Sequence, residues 1–473
     1  MLETGKSNFV RLSRMKPNSP KQNLARASIS AARDSIGVGE QTAQSLIEET
    51  LQRIAEADPA IFIKATPARA RKEASASDVR RAEGKSLGPL DGVPISWKAL
   101  FDLEGEATSA GSLIPADVAS SDAELVARLK GAGAITVGIV NMSEFAFSGL
   151  GMNPHFGTPL NPWSQGEERL TGGSSSGSAA AVASGLVPLS FGTDTSGSVR
   201  VPAAMNGIVG YKTSSGRWPS AGIFPLSETL DTPGVLAASV DDVKTVDDIV
   251  MHGCRTSASD VILNEIELLI PENAIWAETE TDVRKNFSDS IGRLASQGVR
   301  IRYTHIPELD EVLDIGRHHG TLVALEAYAL HGQKLSSPDA RLMDPMVRLR
   351  LEDARRITRD DERIIRTERH RLIQSLNSTF GPYTFIAFPT VAVTAPLIGD
   401  LAENSEHYSY MNRLVLRNTM IGSYLNWCGI SVPNGLDTRG LPTGCLISGG
   451  HNRDDELIAA ARRMEILIRP GIA

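Results

Sequence analysis

The sequence predicts an α/β fold, in which helices pack against a β-sheet. A helical pattern over residues 121–132 is followed by a short apolar stretch at 135–139 that is typical of a buried strand. The same alternation of helical and strand patterns recurs along the chain. The 473 residues are 41% hydrophobic, which suffices to bury a large core.

The first predicted elements are two helices and a strand. A helix is predicted over about residues 40–57, where Thr42 can cap its start. Its apolar face consists of Leu46, Ile47, Leu51 and Ile54. A second helical stretch, rich in Ala, Arg and Glu, covers 66–84 and ends before Gly88-Pro89. A short strand follows, with alternating Val93, Ile95 and Trp97.

The middle of the chain is dominated by small residues. Residues 149–177 form a long loop rich in Gly, Pro, Asn and Ser, and a loop of this length is usually functional. A small-residue helix at 178–184 and a strand at 186–191 are predicted after it. A second small-residue loop covers 192–198, and Pro202 then fits the first turn of another helix.

The remainder of the chain begins with a charged region at about 240–380, predicted to be mainly helical. The stretch at 349–376 has apolar residues that can line one helix face, and its charges are typical of a solvated surface. These apolar residues are Ile364, Ile365, Leu372, Ile373 and Leu376. A strand at 385–388, closed by Pro389, and a last helix at 454–468 complete the pattern.

The domain organisation predicted from these patterns is simple. Residues 1–22 are polar and mildly basic and are expected to form a flexible leader. Residues 23–473 are expected to form a single domain with the charged helical insertion at about 240–380. No run of about 18 apolar residues occurs, so no contact with a membrane is expected.

Charge and cysteine content exclude several classes of protein. The net charge of −8 and the aromatic content of 5% argue against a nucleic-acid partner. The three cysteines, Cys254, Cys428 and Cys445, do not have the spacing of a disulfide framework or a zinc site. A cytoplasmic location is therefore expected, and no metal site is predicted.

Two Gly/Ser loops, at 171–181 and 192–204, carry the functional signal. Each precedes a helical stretch, where unpaired backbone N–H groups bind anions or a developing oxyanion. A phosphate-binding loop is one interpretation, but the GxxxxGK[ST] pattern is missing. A nucleophile elbow centred on Ser175 is another, but no strand precedes it. A third interpretation combines both loops with an upstream lysine.

That lysine is Lys98, which follows the predicted strand GVPISW. Burial there would lower its pKa from about 10.4 to about 7, at a cost of roughly 4–5 kcal/mol. The neutral amine could then act as a general base toward a serine. A lysine that extends from a strand end toward solvent is the alternative.

With these residues in view, the sequence resembles the amidase signature family of Ser-Ser-Lys amidohydrolases. The resemblance runs from about residue 40 to 465 and is strongest in three blocks, 88–98, 171–204 and 429–449. It implies a large central mixed β-sheet flanked by helices on both faces, and chemistry without a cofactor. It also implies that the 240–380 region is variable.

The resemblance assigns roles position by position. Ser198 would be the acyl-accepting nucleophile, Ser174 a bridging serine that follows a cis peptide, and Lys98 the base. The oxyanion hole would consist of the backbone N–H groups of Thr195, Ser196, Gly197 and Ser198. Ser175 would add a supporting hydrogen bond, and Ala146 would line the substrate site. Asp194 and Arg200 would hold the loop in shape.

The function implied is hydrolysis of a small carboxamide through an acyl-serine, with release of ammonia or an amine. The alternatives are the glutaminase-type A subunit of a tRNA-dependent amidotransferase and a non-catalytic anion-binding module. A small-molecule amide is the expected partner, and a homodimer is compatible with the resemblance. Two departures from the family pattern are Ser196, where Gly is usual, and Ala99, where an acidic residue is frequent.

Overall fold

The computed structural model describes residues 28–37, 39–251 and 261–469, and within them the strands form one mixed sheet of eleven. The order across the sheet is β1-β3-β2-β4-β6-β5-β10-β11-β9-β7-β8. The strands are β1 (Phe62–Ala65), β2 (Pro94–Lys98), β3 (Ile135–Val140), β4 (Leu189–Asp194), β5 (Val209–Lys212), β6 (Thr232–Ala237), β7 (Glu267–Pro271), β8 (Arg300–Thr304), β9 (Thr384–Pro389), β10 (Cys428–Leu436) and β11 (Pro442–Gly449).

Helices cover the sheet. All residues of β3, β4, β6 and β9 are buried, and successive residues of a strand point to opposite faces, so both faces are covered. The α-helices are α1 (Ile29–Gly37), α2 (Ala43–Glu56), α3 (Pro67–Ala82), α4 (Glu124–Gly131), α5 (Ser176–Ala183), α6 (Arg200–Asn206), α7 (Val240–Val250), α8 (Thr281–Ser296), α9 (Pro307–His318), α10 (Leu322–His331), α11 (Pro345–Ala354), α12 (Arg359–Leu376), α13 (Gly399–Ala402), α14 (Ser405–Tyr424) and α15 (Asp454–Ile468). The predicted α/β class is confirmed.

Local signals located the ends of some helices, such as α15 at Asp454–Ile468. Thr42 caps α2 as predicted, and its side chain accepts a hydrogen bond from the backbone of Ser45. The charged stretch forms two helices rather than one, because Thr358 caps a new helix, α12, after the break at Arg355–Ile357. Three of the apolar residues predicted to line its inner face are buried: Ile365, Leu372 and Leu376.

One prediction needs an addition and another a correction. The region 240–380, predicted to be mainly helical, also contributes β7 and β8 to the edge of the sheet. The short run Leu268–Ile270 is fully buried but lies among charged residues, which obscured it. Strand β4 begins at Leu189 rather than at 186, because the segment after α5 turns back, with Leu186 N–H donating to the Ala181 carbonyl.

Strands β2 and β4, the third and fourth in the sheet, are parallel neighbours paired at Trp97 and Phe191. Their rings stack with centroids 4.6 Å apart, which fixes the register of the two strands. This register brings Lys98, at the end of β2, beside Thr193 of β4. The leader predicted at 1–22 lies outside the described residues, and the single-domain assignment stays a prediction.

None of the helices in residues 28–37, 39–251 and 261–469 combines the length and the apolar character that crossing a membrane requires.

Candidate active site

Lys98 lies completely buried at the carboxyl end of β2. Its Nζ donates to Ser174 Oγ at 2.7 Å and to Thr193 Oγ1 at 3.0 Å. Burial lowers the pKa of Lys98 to about 7, while the charges of Asp231 and Asp194 act in the opposite direction. The lowered pKa agrees with the expectation from the sequence, and a large fraction of the amine is neutral near pH 7.

Ser174 and Ser198 lie on adjoining loop segments. The Gly173-Ser174 peptide bond is cis, and the Ser174 carbonyl accepts the Ser143 N–H at 3.1 Å. The Ser175 N–H donates to the Ser198 carbonyl at 3.3 Å, which joins the two segments directly. The Ser175 hydroxyl has only a long contact, 3.5 Å, with the Thr193 carbonyl. Glycine is required at 173, because a Cβ there would lie 2.5 Å from the backbone nitrogen of Gly151.

The segment 195–198, called the oxyanion loop below after the role that the resemblance implies, has unpaired backbone N–H donors among the described residues. Among the described residues, no acceptor receives a hydrogen bond from the N–H groups of Thr195, Ser196, Gly197 or Ser198. Thr419 Oγ1 on α14 donates to the Ser196 carbonyl at 2.6 Å. Gly197 has φ +141°, and a Cβ there would lie 2.1 Å from Thr419 Oγ1, so no other residue fits.

Two carboxylates hold the ends of this loop. Asp194 forms a buried bidentate pair with Arg200, with N–O distances of 2.9 and 2.8 Å. It also accepts the N–H groups of Val199 and Arg200, which agrees with the expected role in loop shape. Asp231 accepts Thr195 Oγ1 at 2.5 Å.

The segment 144–149, called the substrate loop below after the role that the resemblance implies for Ala146, lies next to the Ser174 segment. Phe145 and Ala146 both have positive φ, +51° and +59°, which is unusual for residues other than glycine. Gly149 connects the loop to the Ser174 segment, because its carbonyl accepts the Gly173 N–H at 2.8 Å. On the other side, Asn412 of α14 accepts the Gly149 N–H at 2.7 Å.

Helix α11 is attached to the substrate loop through a buried acid. Glu144 accepts hydrogen bonds from Ser112 Oγ and from the Asp344 N–H, both at 2.6 Å. Burial raises the pKa of Glu144 to about 7. Asp344 itself caps α11 by accepting the Met346 N–H.

Arg350 on α11 is a half-buried cation beside the substrate loop. Its Nη1 donates to the Phe147 carbonyl at 2.7 Å, and its guanidinium lies 4.1 Å from the centroid of the Phe147 ring. Burial lowers the pKa of Arg350 to about 10. No carboxylate within the described parts of the chain forms an ion pair with it. Its guanidinium therefore retains hydrogen-bond donors without an anionic partner.

Sequence reasoning singled out Lys98, Ser174 and Ser198, and all three lie in the region described. It missed Asp231, Arg350 and Thr419, which lie far from the motifs in sequence and in segments that resemble ordinary polar helix or turn. Only the three-dimensional contacts distinguish these residues.

Among the described residues, the cysteines and the metal-ligating side chains do not form a second reactive centre. Cys428 and Cys445 are buried, and burial raises the pKa of Cys445 to about 12, so neither thiol is a ready nucleophile. Cys254 lies outside the described residues. In the described segments, no group of three or more His, Cys, Asp and Glu side chains could hold a metal ion.

Comparison with known proteins identifies relatives along nearly the whole chain. The amidase family model matches residues 45–458. The chain is 36% identical over 441 residues to 2-amino-5-chloromuconic acid deaminase of Comamonas testosteroni, covering 92% of this chain and 94% of the relative. It is 32% identical over 464 residues to mandelamide hydrolase of Pseudomonas putida, covering 91% and 89%. A crystal structure of an amidase superposes with a TM-score of 0.84 at 29% identity, covering 93% of this chain and all of that one.

Proposed function

Since the chain belongs to the amidase family and is a hydrolase of amide C–N bonds, we propose that it forms its acyl intermediate on Ser198. In this proposal Ser174 and Lys98 transfer the protons. The relatives matched over about nine-tenths of the chain are named as a deaminase and a hydrolase, which favours amide hydrolysis over the two alternative functions.

The proposed reaction starts from neutral Lys98. It accepts the proton of Ser174, Ser174 accepts the proton of Ser198, and Ser198 Oγ attacks the amide carbonyl carbon. The carbonyl oxygen gains negative charge, which the free N–H groups of the oxyanion loop stabilise. The proton on Lys98 returns through Ser174 to the departing nitrogen as the C–N bond breaks. Water then attacks the acyl carbon and gives up its proton through Ser174 to Lys98. The ester C–O bond breaks, Ser198 Oγ takes the proton back along the same path, and the carboxylic acid product leaves.

The observation that carries this proposal is the 2.7 Å contact between Lys98 Nζ and Ser174 Oγ, next to unpaired backbone donors. Burial of a charged lysine costs free energy unless the amine is paired or neutral. Lys98 is fully buried, and no carboxylate among the described residues is in direct contact with it. A neutral amine that accepts the Ser174 proton avoids this cost.

A fluorophosphonate probe followed by intact-mass analysis tests the proposal. We expect one adduct on the parent protein and none on Ser198→Ala, with ammonia release lost in the same variant. An adduct of equal yield on Ser198→Ala would refute the assignment of the nucleophile. An active protein whose Ser198→Ala variant still releases ammonia would refute the acyl-serine route.

We also propose that the substrate carries a carboxylate, held by Arg350. The guanidinium lies beside the substrate loop without an anionic partner among the described residues, and a carboxylate would satisfy its free donors in a bidentate pair. The relative from Comamonas testosteroni is named for an acid substrate, which is compatible with this charge requirement.

A further inference from the structure

A carboxylate that the proposed reaction does not use lies next to the oxyanion loop. Asp231 directly precedes β6, and its Oδ1 accepts the Thr195 hydroxyl at 2.5 Å. Its Oδ2 accepts the N–H groups of Leu226 and Ser227 at 2.7 and 3.0 Å. Both oxygens therefore have neutral donors, so the carboxylate is held in one orientation.

The turn that carries Asp231 is itself held by a second buried acid. Glu326 on α10 accepts hydrogen bonds from the Ser227 hydroxyl, the Thr229 N–H and the Thr229 hydroxyl. Arg366 on α12 donates to Glu326 at 3.0 Å and completes the set. The charged helices of the 240–380 region thus fix the position of Asp231 through polar contacts.

Asp231 also acts on Lys98 by its charge. Of the two carboxylates that favour the charged form of Lys98, the effect of Asp231 is the larger and that of Asp194 the smaller. Asp194 is neutralised by its pair with Arg200 and lies near the cation of Lys212. Within the part of the chain that the structure describes, the hydrogen-bond donors to Asp231 are all neutral. Its charge is therefore less compensated where it acts on Lys98. Burial raises the pKa of Asp231 itself, against the effect of its hydrogen bonds and of Lys98, so this charge weakens as the pH falls.

We propose that Asp231 is a positioning residue with two effects: it orients the oxyanion loop through Thr195, and its negative charge stabilises the ammonium form of Lys98. This inference rests on the proposed roles of Lys98 and of the oxyanion loop. It adds a second charge-bearing group to the reaction, one that touches neither the substrate nor the reacting atoms.

The two effects predict different changes. Removal of the negative charge lowers the pKa of Lys98, so the neutral amine persists to lower pH and the acid limb of kcat/KM moves down. Loss of the Thr195 contact instead lowers kcat at every pH, because the N–H donors are less well oriented. A merely structural role would lower activity without moving the limb.

The test is the profile of kcat/KM from about pH 5 to pH 9 for Asp231→Asn and Thr195→Val, measured with an amide that the parent hydrolyses. Asn is isosteric and can keep the hydrogen bonds, since the Thr195 hydroxyl can turn to accept. We expect the acid limb of Asp231→Asn to fall by about one pH unit. Thr195→Val keeps the carboxylate, so we expect a lower kcat with the limb in place.

Asp242→Asn is the matched control. Asp242 is another buried carboxylate whose pKa burial raises, to about 6, but its charge is not one of those that act on Lys98. Should Asp231→Asn fail to fold, Asp231→Glu keeps the charge and displaces it, and we expect a lower kcat with an unmoved limb.

Three outcomes would overturn the inference. The acid limb of kcat/KM stays in place or moves to higher pH in Asp231→Asn, it moves to lower pH in Asp231→Glu, or it moves equally in Asp242→Asn. Failure of the underlying function has a different signature, because a variant without Lys98 would then keep the parent's rate and acid limb.

Discussion

Replacement of Lys98 by Met should inactivate the enzyme and stabilise the fold. In the native state the pKa of Lys98 falls from 10.5 to about 7 because the amine is buried. Below pH 7 the amine is charged in the unfolded chain and stays largely charged in the folded protein. Burial of this charge then lowers the free energy of unfolding by about 5 kcal/mol. Met has nearly the same shape and carries no such penalty.

The sign of the pH dependence follows from proton uptake. Between about pH 7 and pH 10.5 the unfolded chain binds more protons at this lysine than the folded chain, so parent stability rises with pH there. The penalty falls to about 2 kcal/mol at pH 9, so the advantage of Lys98→Met should be larger at pH 6 than at pH 9 by about 3 kcal/mol. At about 2 cal/mol/K per residue, this difference corresponds to about 3 °C in the unfolding midpoint.

The assay is thermal unfolding of both proteins at pH 6 and pH 9 under one scan rate, together with turnover of one amide. The loss of the hydrogen bonds to Ser174 and Thr193 changes the stability equally at pH 6 and pH 9, so it cancels in the comparison. An offset that is independent of pH, or that grows as pH rises, would refute the argument from burial. A turnover loss below about tenfold would refute the role as a base, for which a hundredfold or more is typical. Lys212→Met is the control, because this buried lysine donates to the carbonyls of Thr213 and Trp427 rather than to a serine, and turnover should largely persist.

Three further predictions follow from contacts around the site. Arg350→Met should raise KM about tenfold to hundredfold for an amide that carries a carboxylate, which corresponds to the loss of one charged hydrogen bond. KM for a neutral amide of the same size should stay unchanged. An equal rise for both amides would contradict the proposal that Arg350 binds the carboxylate. Gly197→Ala should abolish turnover, because a Cβ there would lie 2.1 Å from Thr419 Oγ1 and because φ at 197 is +141°. The double variant Gly197→Ala with Thr419→Ala removes the steric clash and keeps the unfavourable φ. If it were as active as the parent, the backbone conformation at 197 would be unimportant. In the parent protein, kcat/KM should fall as the pH drops below the pKa of Lys98, which is about 7. A value of kcat/KM that stays constant from pH 5 to pH 7 would exclude a neutral amine as the base.

Local patterns in the sequence predicted the elements that carry their own signals. The helix at Ala43–Glu56 was predicted correctly from its cap and apolar face, and the loops around Ser174 and Ser198 were recognisable from their small residues. Strand β8 was missed because its residues, Arg300–Thr304, are mostly polar and lie at the edge of the sheet, where no apolar pattern is needed.

The supporting residues of the site could not be predicted for a related reason. Asp231, Arg350 and Thr419 acquire meaning only from what they contact, and those contacts join segments separated by tens to hundreds of residues. Arg350 in particular stands in a run of charged residues on α11, where its neighbours Arg348 and Glu352 form an ordinary surface pair. Composition and periodicity do not separate such an arginine from a solvated one.

One face of helix α14 contacts both the substrate loop and the oxyanion loop. Leu416 packs against Gly149 of the substrate loop, and Thr419, one turn further on, packs against Gly197 of the oxyanion loop. A library restricted to this face of one helix would therefore vary the surroundings of both loops together while leaving Lys98, Ser174 and Ser198 unchanged. Directed evolution toward other amides can therefore begin with a few positions of α14, because they contact both loops at once.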